Sequence, residues 1–294
     1  MISPVVQLPE AQVRPLLAAY AAAVRTRRRQ TLIAFACVIA AVGLSSVSAE
    51  ISPGRFFANI GNFTSYLYRL CHLDSGAFVW TDPVEWFWGL RRWLRLLSET
   101  LLMAYVATLL GAAGAFFLCF FAAANVAPNR WLRIGVRRFC ELCRTVPELV
   151  FALIFVIAFG LGPVGGVLAL AIHCLGALGK LFSEVVENID MKPVEGVHAT
   201  GAPWHVAMRY GAVPQVLPAF VSYGLLSFEI NVRGAAVIGF VGAGGIGVDL
   251  LEAIRKFYYS DVSAMLVLIV ITVSLIDFGT GLLRHRLIGM GGRH

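Results

Sequence analysis

Apolar residues in this chain fall into long blocks, not into the short alternations or single helical faces of a water-soluble core. Six blocks are long enough to cross a hydrocarbon layer of roughly 30 Å, at residues 31–49, 98–124, 146–162, 163–182, 212–231 and 262–283. The third and fourth run together, but Gly160, Gly162, Pro163, Gly165 and Gly166 interrupt them as a tight turn at a membrane surface would, which predicts a hairpin of two spans. Residues 184–211 are too polar for a span and still hold apolar residues at intervals. They predict two short helices, the first over Val194–Thr200, with Gly201 free to take the left-handed conformation that ends it and Pro203 suited to the first turn of the next. Farther on, Leu250, Ile254 and Phe257 stand at helical spacing beside a Glu252 to Lys256 pair, so a short amphipathic helix leads into the last span. The fold class is all-α: a polytopic membrane protein of about six transmembrane helices, with a basic segment at 1–30 and one membrane domain at 31–294.

Composition agrees with the pattern, since 59% of residues are hydrophobic and 14% charged, with a mean hydropathy of +0.78. Charge adds orientation. With the N-terminus inside, 16 of the 24 Lys and Arg fall on the cytoplasmic side: Arg14, Arg25, Arg27, Arg28 and Arg29; Arg130, Arg133, Arg137, Arg138 and Arg144; Lys180, Lys192 and Arg209; Arg284, Arg286 and Arg293. Both termini are then cytoplasmic, as in a multi-pass protein of a bacterial inner membrane. The net charge of +7 reads as a topology signal and an attraction to anionic lipids, and no basic stripe suits nucleic acid. Arg91, Arg92 and Arg95 sit beside Trp80, Trp86, Trp88 and Trp93, a mixture expected of a helix lying in the headgroup layer with lipid phosphates as partners. A signal peptide over Arg25 to Ala49, ending in Val47-Ser48-Ala49, is disfavoured by the length of chain before it.

The motifs that carry enzyme chemistry are missing. There is no HExxH, GxSxG or cluster of acids on one span, and no GxxxxGK[ST], so ATP hydrolysis would need another subunit. Cys140 and Cys143 form a lone CxxC, half of a tetrahedral metal site, and helix packing is the better expectation. Gly242, Gly244 and Gly247 match GxGxxG, but without a βαβ unit they are expected, with Gly245, to let the backbone turn back into the protein. No cofactor is expected. Charged groups inside spans mark pathways. Arg144 and Lys180 are placed at cytoplasmic span ends, His173 near the midplane, and Glu229 and Arg233 as an i,i+4 pair at the outer end of the fifth span, with Asp277 in need of a partner.

Glu195-Gly196-Val197-His198-Ala199-Thr200-Gly201, followed after nine residues by Gly211-Ala212-Val213-Pro214, resembles the EAA loop of ABC-importer permeases. Glu195, Gly201 and Pro214 match, while Gly196 and Val197 replace two alanines, and Gly211 and Val213 replace the Ile and Leu. Arg144-Thr145-Val146-Pro147-Glu148, the stretch from Gly160 to Lys180, Phe228 to Arg233 and Val241 to Gly247 look like the phosphonate-importer permease, a likeness covering roughly the last two thirds of the chain. The resemblance implies a type I ABC importer fold that carries phosphonate or a related oxyanion. It also implies a homodimer, two ATPase subunits on the cytoplasmic side and an extracytoplasmic substrate-binding protein. Residues 184–211 would be the coupling loop, with Glu195 to Gly201 and Trp204 facing the ATPase. Residues 232–261, with Gly242, Gly244, Gly245 and Gly247, would be an outer gate, and Arg144, His173, Glu229 and Arg233 would line the pathway. A permease for another solute such as an amino acid shares the loop and span count. A passive channel would need no such loop, and a membrane-embedded enzyme would need a catalytic constellation.

Overall fold

The computed structural model describes residues 10–48, 53–73 and 76–291. Ala49 and Arg293, used above for the cleavage site and the charge balance, lie outside them, as does the start of the basic segment. The chain divides into two units, residues 1–66 and 67–294. The first holds α1 (Glu10–Ser48) and most of α2 (Pro53–Leu70). α1 carries the first apolar block, and its side chains from Leu32 to Leu44 are exposed to whatever surrounds the unit.

In the second unit, α3 (Pro83–Trp86) is a single capped turn, with the Asp82 carboxylate accepting from the N–H groups of Val84 and Glu85. α4 (Leu90–Ala122) follows, then α5 (Arg130–Thr145), α6 (Glu148–Phe159), α7 (Pro163–Glu187), α8 (Met191–Ala199), α9 (Trp204–Ala207), α10 (Val213–Ile238), α11 (Ile246–Arg255) and α12 (Tyr259–Gly291). α7 is the central strut, packed against α4, α5, α6 and α10, while α10 also meets α4 and α12. Small residues allow this approach. A Cβ on Gly111 of α4 would sit 2.8 Å from that of Cys174 on α7, and one on Gly176 of α7 would meet the Cys140 carbonyl oxygen and Arg144 nitrogen of α5 at 2.7 Å. The buried Cys140 and Cys143 thus serve as the smooth face of α5.

Among the described residues, five helices are long and apolar enough to cross a membrane: Ala18–Ser46, Leu90–Ala122, Pro163–Glu187, Trp204–Val241 and Tyr259–His285. The sixth span differs from its sequence reading. Its apolar part, α6, has 12 residues, about 18 Å of helix, too short for the hydrocarbon layer. Only with α5 does it pass as a span, and the two meet at 85°. Pro147 causes the break: it pushes Val146 into an extended conformation, with φ −76° and ψ 124°. Arg130 to Arg144 thus lie on an amphipathic helix set at 85° to α6, and the Arg144 backbone lies beside Gly176 of α7. The expected hairpin turn is present at Gly160 and Gly162, with φ +89° and +142°, and Pro163 opens α7.

Candidate functional site

Chemistry-bearing residues gather at three levels of the second unit. At the first, α8 and α9 form a bent clip between α7 and α10. The Asp190 side chain caps α8 by accepting from Lys192 N–H at 3.0 Å, Gly201 ends the turn after it at φ +82°, and Pro203 caps α9. The chain then passes through a π-helical turn, Met208–Ala212, into α10. The wider turn fits a sequence in which Pro214 can donate no backbone hydrogen bond to the preceding turn. α8 lies directly on this turn, because a Cβ on Gly211 would stand 2.8 Å from the Val194 Cα. Gln215 closes the clip with two hydrogen bonds to the Asp190 backbone, at 3.0 and 3.1 Å.

The apolar residues of the clip face inward, among them Trp204, which the resemblance had set against the ATPase. Val194 is buried and Met191, Val197 and Trp204 pack against the same core, which runs through Phe120, Phe182 and Phe220. The Trp204 indole stacks on Phe121 at 5.1 Å, and its N–H donates to the Val126 carbonyl at 2.7 Å. What the clip exposes is small and polar: Glu195, Gly196, His198, Ala199, Thr200 and Gly201. Among the described residues Glu195 makes no hydrogen bond or ion pair, and its exposed carboxylate is open to a partner. A second set of residues, unmarked in the sequence reading, ties α5 and the end of α4 to the end of α7, just before the clip. Arg137 pairs with Glu187 and donates to the Ala122 carbonyl at 2.7 Å, while Glu187 also accepts from Ala124 N–H at 2.7 Å. These partners are up to 63 positions apart, and no local spacing signals them.

At the middle level the structure brings His173, Glu148, Glu229, Arg233 and Asp277 into one neighbourhood. His173 Nδ1 is 3.4 Å from the Val146 carbonyl oxygen and Nε2 is 3.8 Å from Glu148, so the histidine sits at the break between α5 and α6. Glu148 in turn approaches α10 at Gly234, where an added Cβ would lie 3.7 Å from its Oε1. Arg233 pairs with buried Glu229 on its own helix and reaches Asp277 of α12 at 3.6 Å, which supplies the partner expected for Asp277. Glu229 lies about 14 Å before the end of α10, so the cluster is deeper than the outer end. Asn231 donates to Thr108 at 2.8 Å, a buried cross-helix bond between α10 and α4. Arg144, at the break, has an exposed side chain and, among the described residues, no ion pair. Beside this level runs an apolar groove of about 450 Å³, lined by Tyr105, Leu109, Phe116, Phe220 and Phe228.

At the far level the glycine-rich turn folds back into the bundle. Gly242, Gly244 and Gly245 have φ of +84°, +87° and +74°. A Cβ on Gly247 would collide with the Ala236 carbonyl oxygen, so α11 rests on the end of α10. Gly162 N–H donates to the Gly242 carbonyl at 3.0 Å, and Ile246 N–H donates to Thr100 Oγ1 at 2.9 Å, pinning the turn to the α6–α7 hairpin and to α4. The Trp- and Arg-rich segment packs here through two of its tryptophans, while Trp80 and Trp88 stay exposed. Trp86 and Trp93 are buried with Ile246, Leu250 and Met265. The Trp86 and Trp88 indoles donate to Ser263 and Asp261, and Arg92 makes a two-point pair with Asp249 at 2.8 and 2.9 Å. On α11, the Lys256 ammonium hydrogen-bonded at 2.6 Å holds the Glu252 carboxyl below its ordinary value, and the carboxylate raises Lys256.

A helical bundle around one central strut, with a broken span and a polar clip, is the fold of ABC-importer permeases. Two solved chains of the MetNI methionine ABC transporter in inward-facing conformations align with TM-scores of 0.57 and 0.58 at 22% and 21% identity, each covering 70% of this chain and 98% of the other. Residues 115–287 match the family described as binding-protein-dependent transport system inner membrane component, and the chain belongs to that family. It is similar to the phosphite transport system permease protein PtxC of Stutzerimonas stutzeri, 40% identical over 199 residues, or 67% of this chain and 72% of the relative. It also resembles the putative cryptic phosphonate transport system permease protein PhnE2 of Escherichia coli strain K12, 54% identical over 121 residues, covering 41% of this chain and 99% of that one.

Proposed function

We propose that this chain forms the transmembrane pathway of an importer for a small phosphorus oxyanion, phosphonate or phosphite, driven by a separate ATPase. The observation that carries this reading is the 40% identity to a phosphite permease across two thirds of the chain. The bend at Pro147 supports it: among the described residues Arg144 makes no ion pair there, while Arg233 is already engaged by Glu229 and Asp277. A pathway for anions needs a cation that attracts without holding, since transport requires release as well as entry. Arg144 has that freedom and Arg233 does not.

Residues 184–211 would couple the spans to the ATPase, with Glu195 to Gly201 as the contact surface and Trp204 as the bolt that fastens it to α4. Because the clip is locked to both α7 and α10, a push on it moves two spans together. Residues 232–261 would gate the far end, the glycine turn being wedged between α4 and the α6–α7 hairpin. The assembly would comprise a homodimer, two ATPase subunits below it and a binding protein on the outside, with both termini cytoplasmic and the basic N-terminal segment near anionic lipids. Competition tests the cargo. Uptake of a labelled phosphonate by vesicles carrying the assembled complex should fall with excess phosphite or phosphonate and not with methionine. Inhibition by methionine alone would move the substrate to another class.

A further inference from the structure

We infer that α2 lies in the membrane surface at the end of α1, its aromatic face sunk in the boundary between headgroups and acyl chains. Along α2 the apolar residues Phe57, Ile60, Phe63, Leu67 and Tyr68 recur at helical spacing on one side, and Asn59, Asn62, Ser65 and Arg69 occupy the other. Ile60, Phe63, Leu67 and Tyr68 are between 45% and 63% exposed among the described residues. The polar side is satisfied locally: Asn62 donates to Asn59 at 3.1 Å and Ser65 to the Asn62 carbonyl at 2.8 Å.

A lipid surface is the occupant that the chain's course selects. α1 ends at Ser48 and α2 begins at Pro53, so at most about 18 Å of extended chain separates them. α1 is a candidate span whose apolar side chains are exposed along its last turns, which puts its end at a membrane surface and α2 within reach of it. Phe and Tyr beside a wet Asn and Ser face, in a helix of 18 residues, suit the interface and do not suit a span.

The test uses the full chain assembled with its ATPase and binding protein in nanodiscs of phosphatidylethanolamine and phosphatidylglycerol. Cys37 and Cys71, the exposed cysteines, are replaced by serine, and single nitroxide labels are placed at Ile60, Phe63 and Leu67 and at Ala58, Asn62 and Ser65. The ratio of oxygen to nickel-chelate accessibility should be several-fold higher at the first three positions than at the second three. Equal access of nickel to both sets overturns the proposal by showing a helix in water. Protection of the first set from both reagents overturns it by showing a protein cover. Should a labelled variant fail to assemble, the unaltered chain in lipids bearing a diazirine near the headgroup should crosslink within residues 56–69, and crosslinks confined to the spans would also overturn it. Neither readout depends on which solute is carried.

Discussion

Single positions decide how the clip holds its shape and what it offers outward, and two glycines there have opposite roles. Gly211 lies under α8, where a Cβ would be 2.8 Å from the Val194 backbone. Gly211→Val should therefore cost about 1–3 kcal/mol, as overpacking does, and lower the unfolding temperature of the purified chain; an unchanged melt would refute the close approach. Gly196 is exposed, and a Cβ on it meets nothing within 4 Å. Gly196→Trp should leave the melt unchanged and abolish retention of the ATPase on the immobilised permease, whereas normal retention would move the contact surface elsewhere. The sequence made Gly201 and Pro203 legible as turn residues because their backbone demands are local. It did not make Gly211 legible, because the reason for that glycine is Val194, seventeen positions away.

Elements owe their identity to hydropathy and their geometry to packing. α4, α7, α10 and α12 were readable as spans from apolar length alone, and the structure extends each of them beyond its apolar block. α4 begins earlier because Trp93 and Leu97 are buried against α11 and α12. α5 entered the sequence reading as five arginines on the cytoplasmic side, and its helical, amphipathic character was not marked there. What holds it to α7 is the contact of Cys140 and Cys143 with Gly176 and Gly179, a relation between positions far apart in sequence. Gly176→Leu should pry α5 from α7, so that Cys140 and Cys143, both 3% exposed, react with a maleimide in the variant and not in the wild type. Labelling that stays at the wild-type level would contradict the packing of the broken span.

For the whole molecule, transport requires that a movement at the clip reach the far turn. The structure offers a continuous route: the clip shares a core with α7 through Val194 and is bonded to α10 by Gln215, and α10 leads to the glycine turn pinned at Thr100 and Gly162. The permease class was legible in the sequence through span count and the Glu195 to Gly201 loop. The charge cluster joining α6, α7, α10 and α12 was not assembled until the helices were placed, because His173, Glu229 and Asp277 stand on separate spans. The most direct measurement is uptake of a labelled phosphonate into vesicles carrying the chain with its ATPase and binding protein, with and without ATP, for wild type and for a variant in which Glu195 to Gly201 is replaced by a flexible linker. Uptake that requires ATP and is lost in the assembled variant is the predicted result. Uptake by the wild type without ATP would contradict an ATP-driven importer and make the chain a passive channel.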